Sequence, residues 1–162
     1  MSIQLVHVCA NGKLMLLSQY ITASNVKILD SVADWKQAID IAGQCLLEQR
    51  AIEKHYLDAI KTTADQLGPY FVLAPMIAMP HARPDDGVNH NSLSLLVVRD
   101  GVEFHSTEND PVKIILLLAA IDSNQHIELI TSISEFFCCD KDVEAVSKAQ
   151  NKEQILKILA KY

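Results

Sequence analysis

The run Val112-Lys113-Ile114-Ile115-Leu116-Leu117-Leu118-Ala119-Ala120-Ile121 limits the possible folds more than any other part of this chain. It is nearly all apolar and rich in branched side chains, and it is well short of the roughly eighteen residues that a membrane span needs. A segment of this length without polar alternation reads as a central strand buried on both faces. Such a strand must be covered on both sides, so the rest of the chain has to supply helices for two layers.

The flanking pattern supplies them. Asp34 is a good N-cap for a helix in which Trp35, Ala38, Ile39, Ala42, Leu46 and Leu47 recur with helical spacing, ending near Arg50. Lys54 to Leu67 repeats the pattern with Tyr56 or Leu57, Ile60, Ala64 and Leu67, and Gly68-Pro69 stops it. Tyr70 to Ala74 and Met76 to Met79 read as short extended pieces broken by Pro75, and Ser92 to Arg99 as a strand. After the apolar strand, Asp122 or Ser123 caps a helix whose inner face is expected to carry Ile127, Ile130, Ile133 or Ser134, and Phe137. Two shorter helices, about 140–149 and 151–161, finish the chain. The predicted class is α/β, a mixed β-sheet flanked by helices on both faces.

Length and charge narrow the functional classes. The 162 residues are read as a single domain, 1–162, with residues 1–13 an N-terminal extension without an assigned role. Fourteen basic against twenty acidic residues give a net charge of −6, with no Lys/Arg cluster, which argues against a nucleic-acid partner. No basic segment precedes the apolar residues of the N-terminus, so no secretory signal and no membrane insertion are expected, and the location is read as cytoplasmic. Cys9, Cys45, Cys138 and Cys139 form no Cys-x-x-Cys pair and are read as reduced thiols, Cys45 as a small core residue.

The candidate chemistry lies in Ala74-Pro75-Met76-Ile77-Ala78-Met79-Pro80-His81-Ala82-Arg83-Pro84. Proline fixes φ near about −65° and disfavours helix at the preceding residue, so Met79 and Arg83 are biased to extended geometry and His81 sits on a stiff turn. A neutral imidazole is a nucleophile at cellular pH, and a nearby guanidinium can pair with phosphoryl oxygens. On spacing alone His81 reads equally as a satisfied loop residue. His126 falls in the first turn of the helix after the apolar strand, where unpaired N–H groups and the helix dipole favour an anion. It reads also as a polar residue of an exposed turn, and Arg83 as a solvated surface arginine.

From Tyr70 to Gly87, and again from Phe104 to His126, the chain resembles the enzyme IIA component of the sugar phosphotransferase system, of the mannitol/fructose type and its ascorbate-type branch. Glu108-Asn109-Asp110-Pro111-Val112 and Asp122-Ser123-Asn124-Gln125-His126-Ile127 share that branch's order and spacing. The resemblance implies that His81 is the phosphorylated nucleophile and that its turn abuts the helix bearing His126, which steadies the phosphate. It implies transfer through the ring nitrogen remote from the backbone, the other nitrogen being held by a backbone carbonyl. Phosphate would come from the system's phosphocarrier protein and pass to a cysteine of a cognate IIB component, feeding the IIC membrane permease. No cofactor or metal is called for. Ascorbate or a related sugar or polyol is the implied substrate.

Two departures from the family pattern stand out. Met76 occupies a position where glycine is common, and no arginine stands near Lys61, Thr62 and Thr63, on the helix before the turn, where the mannitol branch has one. Two other readings stay open. One is a regulatory IIA-like sensor, whose histidine state controls a partner protein. The other is a metal-dependent hydrolase built on His81, Asp85 or Asp86, His90 and His126. Asp85 and Asp86 are otherwise turn formers before Gly87, and His90, His105, His55 and His7 carry no supporting pattern.

Overall fold

The computed structural model describes residues 16–162, so the expectation for residues 1–13 falls outside it. Five strands, β1 (Val26–Leu29), β2 (Val72–Ala74), β3 (Ile77–Ala78), β4 (Ser92–Val102) and β5 (Val112–Ala119), form a mixed sheet in the order β1-β4-β5-β3-β2. The apolar run is thus the middle strand. It pairs antiparallel with β4 and parallel with β3, while β1 adds to β4 in parallel and β2 to β3 antiparallel.

Alternation along β5 divides the interior in two. Ile115, Leu117 and Ala119 pack with α1 (Trp35–Glu48) and α2 (Lys54–Leu67), in a core that includes Ile39, Leu46, Tyr56 and Ile60. Ile114, Leu116 and Leu118 point the other way, toward α3 (Ser123–Phe137), α4 (Asp140–Ser147) and α5 (Lys152–Leu159). All six are fully buried, as the two-layer cover requires. Asp34 caps α1 by accepting the N–H of Gln37, and Asp122 caps α3 by accepting that of Gln125, both at 2.8 Å.

Besides the unexpected strand β1, three features depart from the sequence reading. Strand β4 runs on to Val102, passing Gly101 with a register shift; Gly101 has φ +78° and a Cβ there would lie 2.6 Å from Pro111 Cβ. The buried stripe of α3 is Leu129, Ser132, Ile133 and Phe136, while Ile127 is 62% exposed. Met76 takes φ +70°, so the left-handed geometry that glycine would supply is present but borne by a methionine, at a cost of about 1 kcal/mol. Its carbonyl accepts the N–H groups of both Lys113 and Ile114 at 2.9 Å, which ties the chain entering β3 to β5.

Candidate active site

Beyond β3 the chain passes the end of β5, where Leu118 N–H donates to Pro80 O at 3.0 Å and Met79 N–H donates to Phe71 O at 2.9 Å. His81 follows, half-buried, with Nδ1 2.8 Å from Met79 O. A carbonyl oxygen only accepts, so Nδ1 carries a proton, and in the neutral ring the lone pair lies on Nε2. Two tyrosines hold the next peptide. Tyr70 donates its hydroxyl to His81 O at 2.6 Å, and Tyr56 Oη accepts Ala82 N–H at 3.0 Å while donating to Leu118 O at 2.5 Å. Burial raises both phenols, Tyr70 up to about 12 with Asp86 adding to the shift, so both hydroxyls stay protonated as donors.

The start of α3 meets this turn. The His126 ring lies 5.1 Å from that of His81, centroid to centroid, with 56° between their planes. Partial burial lowers the His126 pKa from its ordinary 6.5, and the neighbouring His81 lowers it further, so the ring is neutral at pH 7. Asp122 takes the N–H of Gln125, and His126 N–H donates to Asp122 O, leaving the N–H groups of Ser123 and Asn124 without a partner among the described residues. Asn91, just before β4, steadies this helix end by accepting Ile121 N–H at 2.8 Å and donating to Gln125 Oε1 at 3.0 Å.

Both rings line an open cleft of about 850 Å³, walled by Thr62, Thr63 and Leu67 of α2, by Tyr70, and by Ser123 and Ile127 of α3. Leu67 is 74% exposed, so the rim carries an apolar side chain open to solvent. An oriented imidazole, a second imidazole that is neutral and two free N–H groups suit the transfer of a small anionic group.

The other candidates are placed less centrally. Arg83 lies on the rim with its side chain 87% exposed, and its Nε and backbone N–H both reach Asp86 Oδ2, at 3.5 and 3.1 Å. Asp86 therefore closes the turn after His81. Lys61 is paired with Asp40 at 2.7 Å and Asp58 at 3.6 Å, so it offers the cleft no cation. His90 lines a separate depression with Asn25 and Ser92, away from the two cleft histidines. Among the described residues no group of three or more His, Cys, Asp or Glu side chains is placed to hold a metal ion, and the hydrolase set is not assembled. His55, passed over in the sequence, lines the cleft from the first turn of α2. Tyr56, Tyr70 and Asn91 were also missed; each acts across a long stretch of chain, and no local spacing marks them.

Known proteins share this fold. The family described as phosphoenolpyruvate-dependent sugar phosphotransferase system, EIIA 2, matches residues 19–162. The mannitol-specific cryptic phosphotransferase enzyme IIA component of Escherichia coli is 35% identical over 91% of this chain and 99% of its own. Its solution structure superposes with a TM-score of 0.85, covering 91% of this chain and all of that one. The ascorbate-specific EIIA component of the same organism is 32% identical over 83% of this chain and 88% of its own. A structure of E. coli mannitol enzyme IIA in complex with phosphorylated enzyme IIB matches with a TM-score of 0.77 at 25% identity, over 88% and 98% of the two chains. Among the described residues no helix is long and apolar enough to cross a membrane.

Proposed function

The chain belongs to the phosphoenolpyruvate-dependent sugar phosphotransferase system EIIA 2 family, whose members are phosphotransferases, and on that footing we propose that His81 Nε2 is the atom that carries the phosphoryl group. The observation that carries the proposal is the 2.8 Å bond from Nδ1 to Met79 O, which leaves Nε2 as the only ring nitrogen with a free lone pair. The donor is the histidine-phosphorylated carrier protein of the system. Its N–P bond breaks as the His81 Nε2–P bond forms, and because the proton stays on Nδ1, hydrogen-bonded to Met79 O, the His81 ring becomes cationic. Outward transfer reverses this: a cysteine thiolate of the cognate IIB component forms an S–P bond, the N–P bond breaks, and the imidazole returns to neutral. His126 and the N–H groups of Ser123 and Asn124 stabilise the phosphoryl oxygens during both displacements. No metal or nucleotide takes part. Arg83 has at most a lesser part, in contact with a partner protein.

The exposed Leu67 and Ile127, on opposite sides of the pair, suit the docking of one protein partner at a time over His81. The complex known for the mannitol relative supports a IIB partner of this kind. The protein is proposed to work in the cytoplasm as a single EIIA domain upstream of a IIC permease. Ascorbate or a related sugar or polyol is the proposed cargo, in keeping with relatives named for ascorbate and for mannitol. The test is to load the protein from the phosphorylated carrier and add the purified IIB domain. Label should pass from His81 to a IIB cysteine. A stable phosphohistidine that no IIB domain discharges would favour the regulatory alternative.

A further inference from the structure

We propose that Tyr56 and Tyr70 are joint positioning residues for His81, gripping the His81–Ala82 peptide at both poles so that the ring cannot turn Nε2 out of the cleft. This rests on the reading of His81 as the phosphoryl acceptor. A peptide unit has one donor and one acceptor, and here each is taken by a phenol from a different part of the chain: the carbonyl by Tyr70, the N–H by Tyr56. The grip is anchored in the sheet. Leu118, near the end of β5, donates its N–H to Pro80 O and accepts the Tyr56 hydroxyl at its own carbonyl. One residue of the most buried strand therefore holds the chain on both sides of His81, directly at residue 80 and through Tyr56 at residue 82. Tyr70 closes the outer side, its ring set edge-on to the imidazole at 5.8 Å.

Burial alone does not demand this arrangement. Tyr70 is 36% exposed, and a hydroxyl at the surface can be satisfied by water. Its choice of the carbonyl of His81 brings a restraint to the reactive residue itself. With both peptide poles and Nδ1 fixed, the backbone on either side of the ring and the ring's own rotation are set before any partner arrives. Preset geometry is what an in-line displacement needs, since the lone pair must already lie along the line of the breaking bond.

The test uses the full chain carrying Tyr70→Phe, Tyr56→Phe, or both, each of which removes a hydroxyl and keeps the ring. Two quantities are read: the His81 tautomer, from long-range proton–nitrogen NMR correlations, and kcat and KM for transfer from the phosphorylated carrier. In the unaltered protein the Nδ1–H tautomer should dominate. Each single substitution should lower kcat about tenfold with little change in KM. The double variant should be little worse than the poorer single one, because both hydroxyls hold one peptide. The Nδ1–H population should fall in step. Should the double variant keep the wild-type tautomer ratio, the clamp is overturned, whatever the kinetics show. Unchanged kcat in both single variants overturns it as well. If the unaltered protein takes no phosphoryl group on His81, the functional reading fails, and the tautomer ratio still decides the clamp by itself.

Discussion

The turn carrying His81 and the helix end carrying His126 bring two imidazoles to one cleft, but they are held in opposite ways. At the turn, Pro80 O, His81 O, Ala82 N–H and the Nδ1 of the ring are all engaged. At the helix end, the backbone of His126 is bonded to Asp122, whereas its ring makes no hydrogen bond to a described residue and the next side chain, Ile127, faces solvent. A locked ring suits a nucleophile, whose line of attack must not vary. An uncommitted ring beside it can turn to meet oxygens that arrive with the substrate. Rigidity and adaptability are thus divided between two elements that lie about 45 residues apart in sequence and are brought together by the sheet.

That contrast can be broken most strongly at the adaptable side. Replacing His126 with Ala should lower the rate of phosphoryl transfer by about 100-fold, the usual scale for losing one oxyanion donor, with the fold intact by circular dichroism. A rate within twofold of wild type would mean that the His126 ring contributes no stabilisation. Less drastic is the paired change Leu67→Ser and Ile127→Ser on the exposed rim. It should raise KM for the protein partners about tenfold and leave kcat near its original value, since neither side chain touches the reacting atoms. A fall in kcat without a change in KM would relocate the docking surface.

Arg83 sharpens the comparison from the other direction. Its guanidinium is mostly solvated and turned to Asp86, so Arg83→Ala should change transfer by less than about threefold. The subtlest test is a titration. His126 should titrate below 6.5 in the intact protein, and in His81→Ala its midpoint should climb toward that value, because one of the two causes of the depression is gone. The sign for stability follows. The folded pKa lies below the unfolded one, so the unfolded chain binds more protons in acid, and the contribution of His126 is lost as pH falls from about 6.5 through the folded midpoint.

Much of this architecture is written locally. The β5 run marked the sheet's centre because its branched side chains have no polar face to expose, and Asp34 and Asp122 marked helix starts because each carboxylate meets an N–H three residues on. Strand β1 went unrecognised: four residues long, with Lys27 in it, it sits at the sheet's edge and shows no clear alternation. On α3 the expected Ile133 is buried and Ile130 and Phe137 pack against the core, whereas Ile127 is exposed and Leu129 and Phe136 are buried instead, because periodicity cannot say which edge of a stripe faces a cleft. The flanking prolines marked His81 only as a presented side chain, and its reading as the nucleophile came from the family resemblance. Its supports were not legible, since Tyr56 acts on residues 82 and 118 and Asn91 on residues 121 and 125, contacts that only the folded sheet creates.

The most direct measurement is to charge the protein with the phosphorylated carrier and locate the modified atom by phosphorus–nitrogen correlated NMR, alongside His81→Ala. The expected result is one phosphoryl group on Nε2 of His81, a proton retained on Nδ1, and no uptake by the variant. Phosphate found on Nδ1, on His126, or on the protein lacking His81 would contradict it.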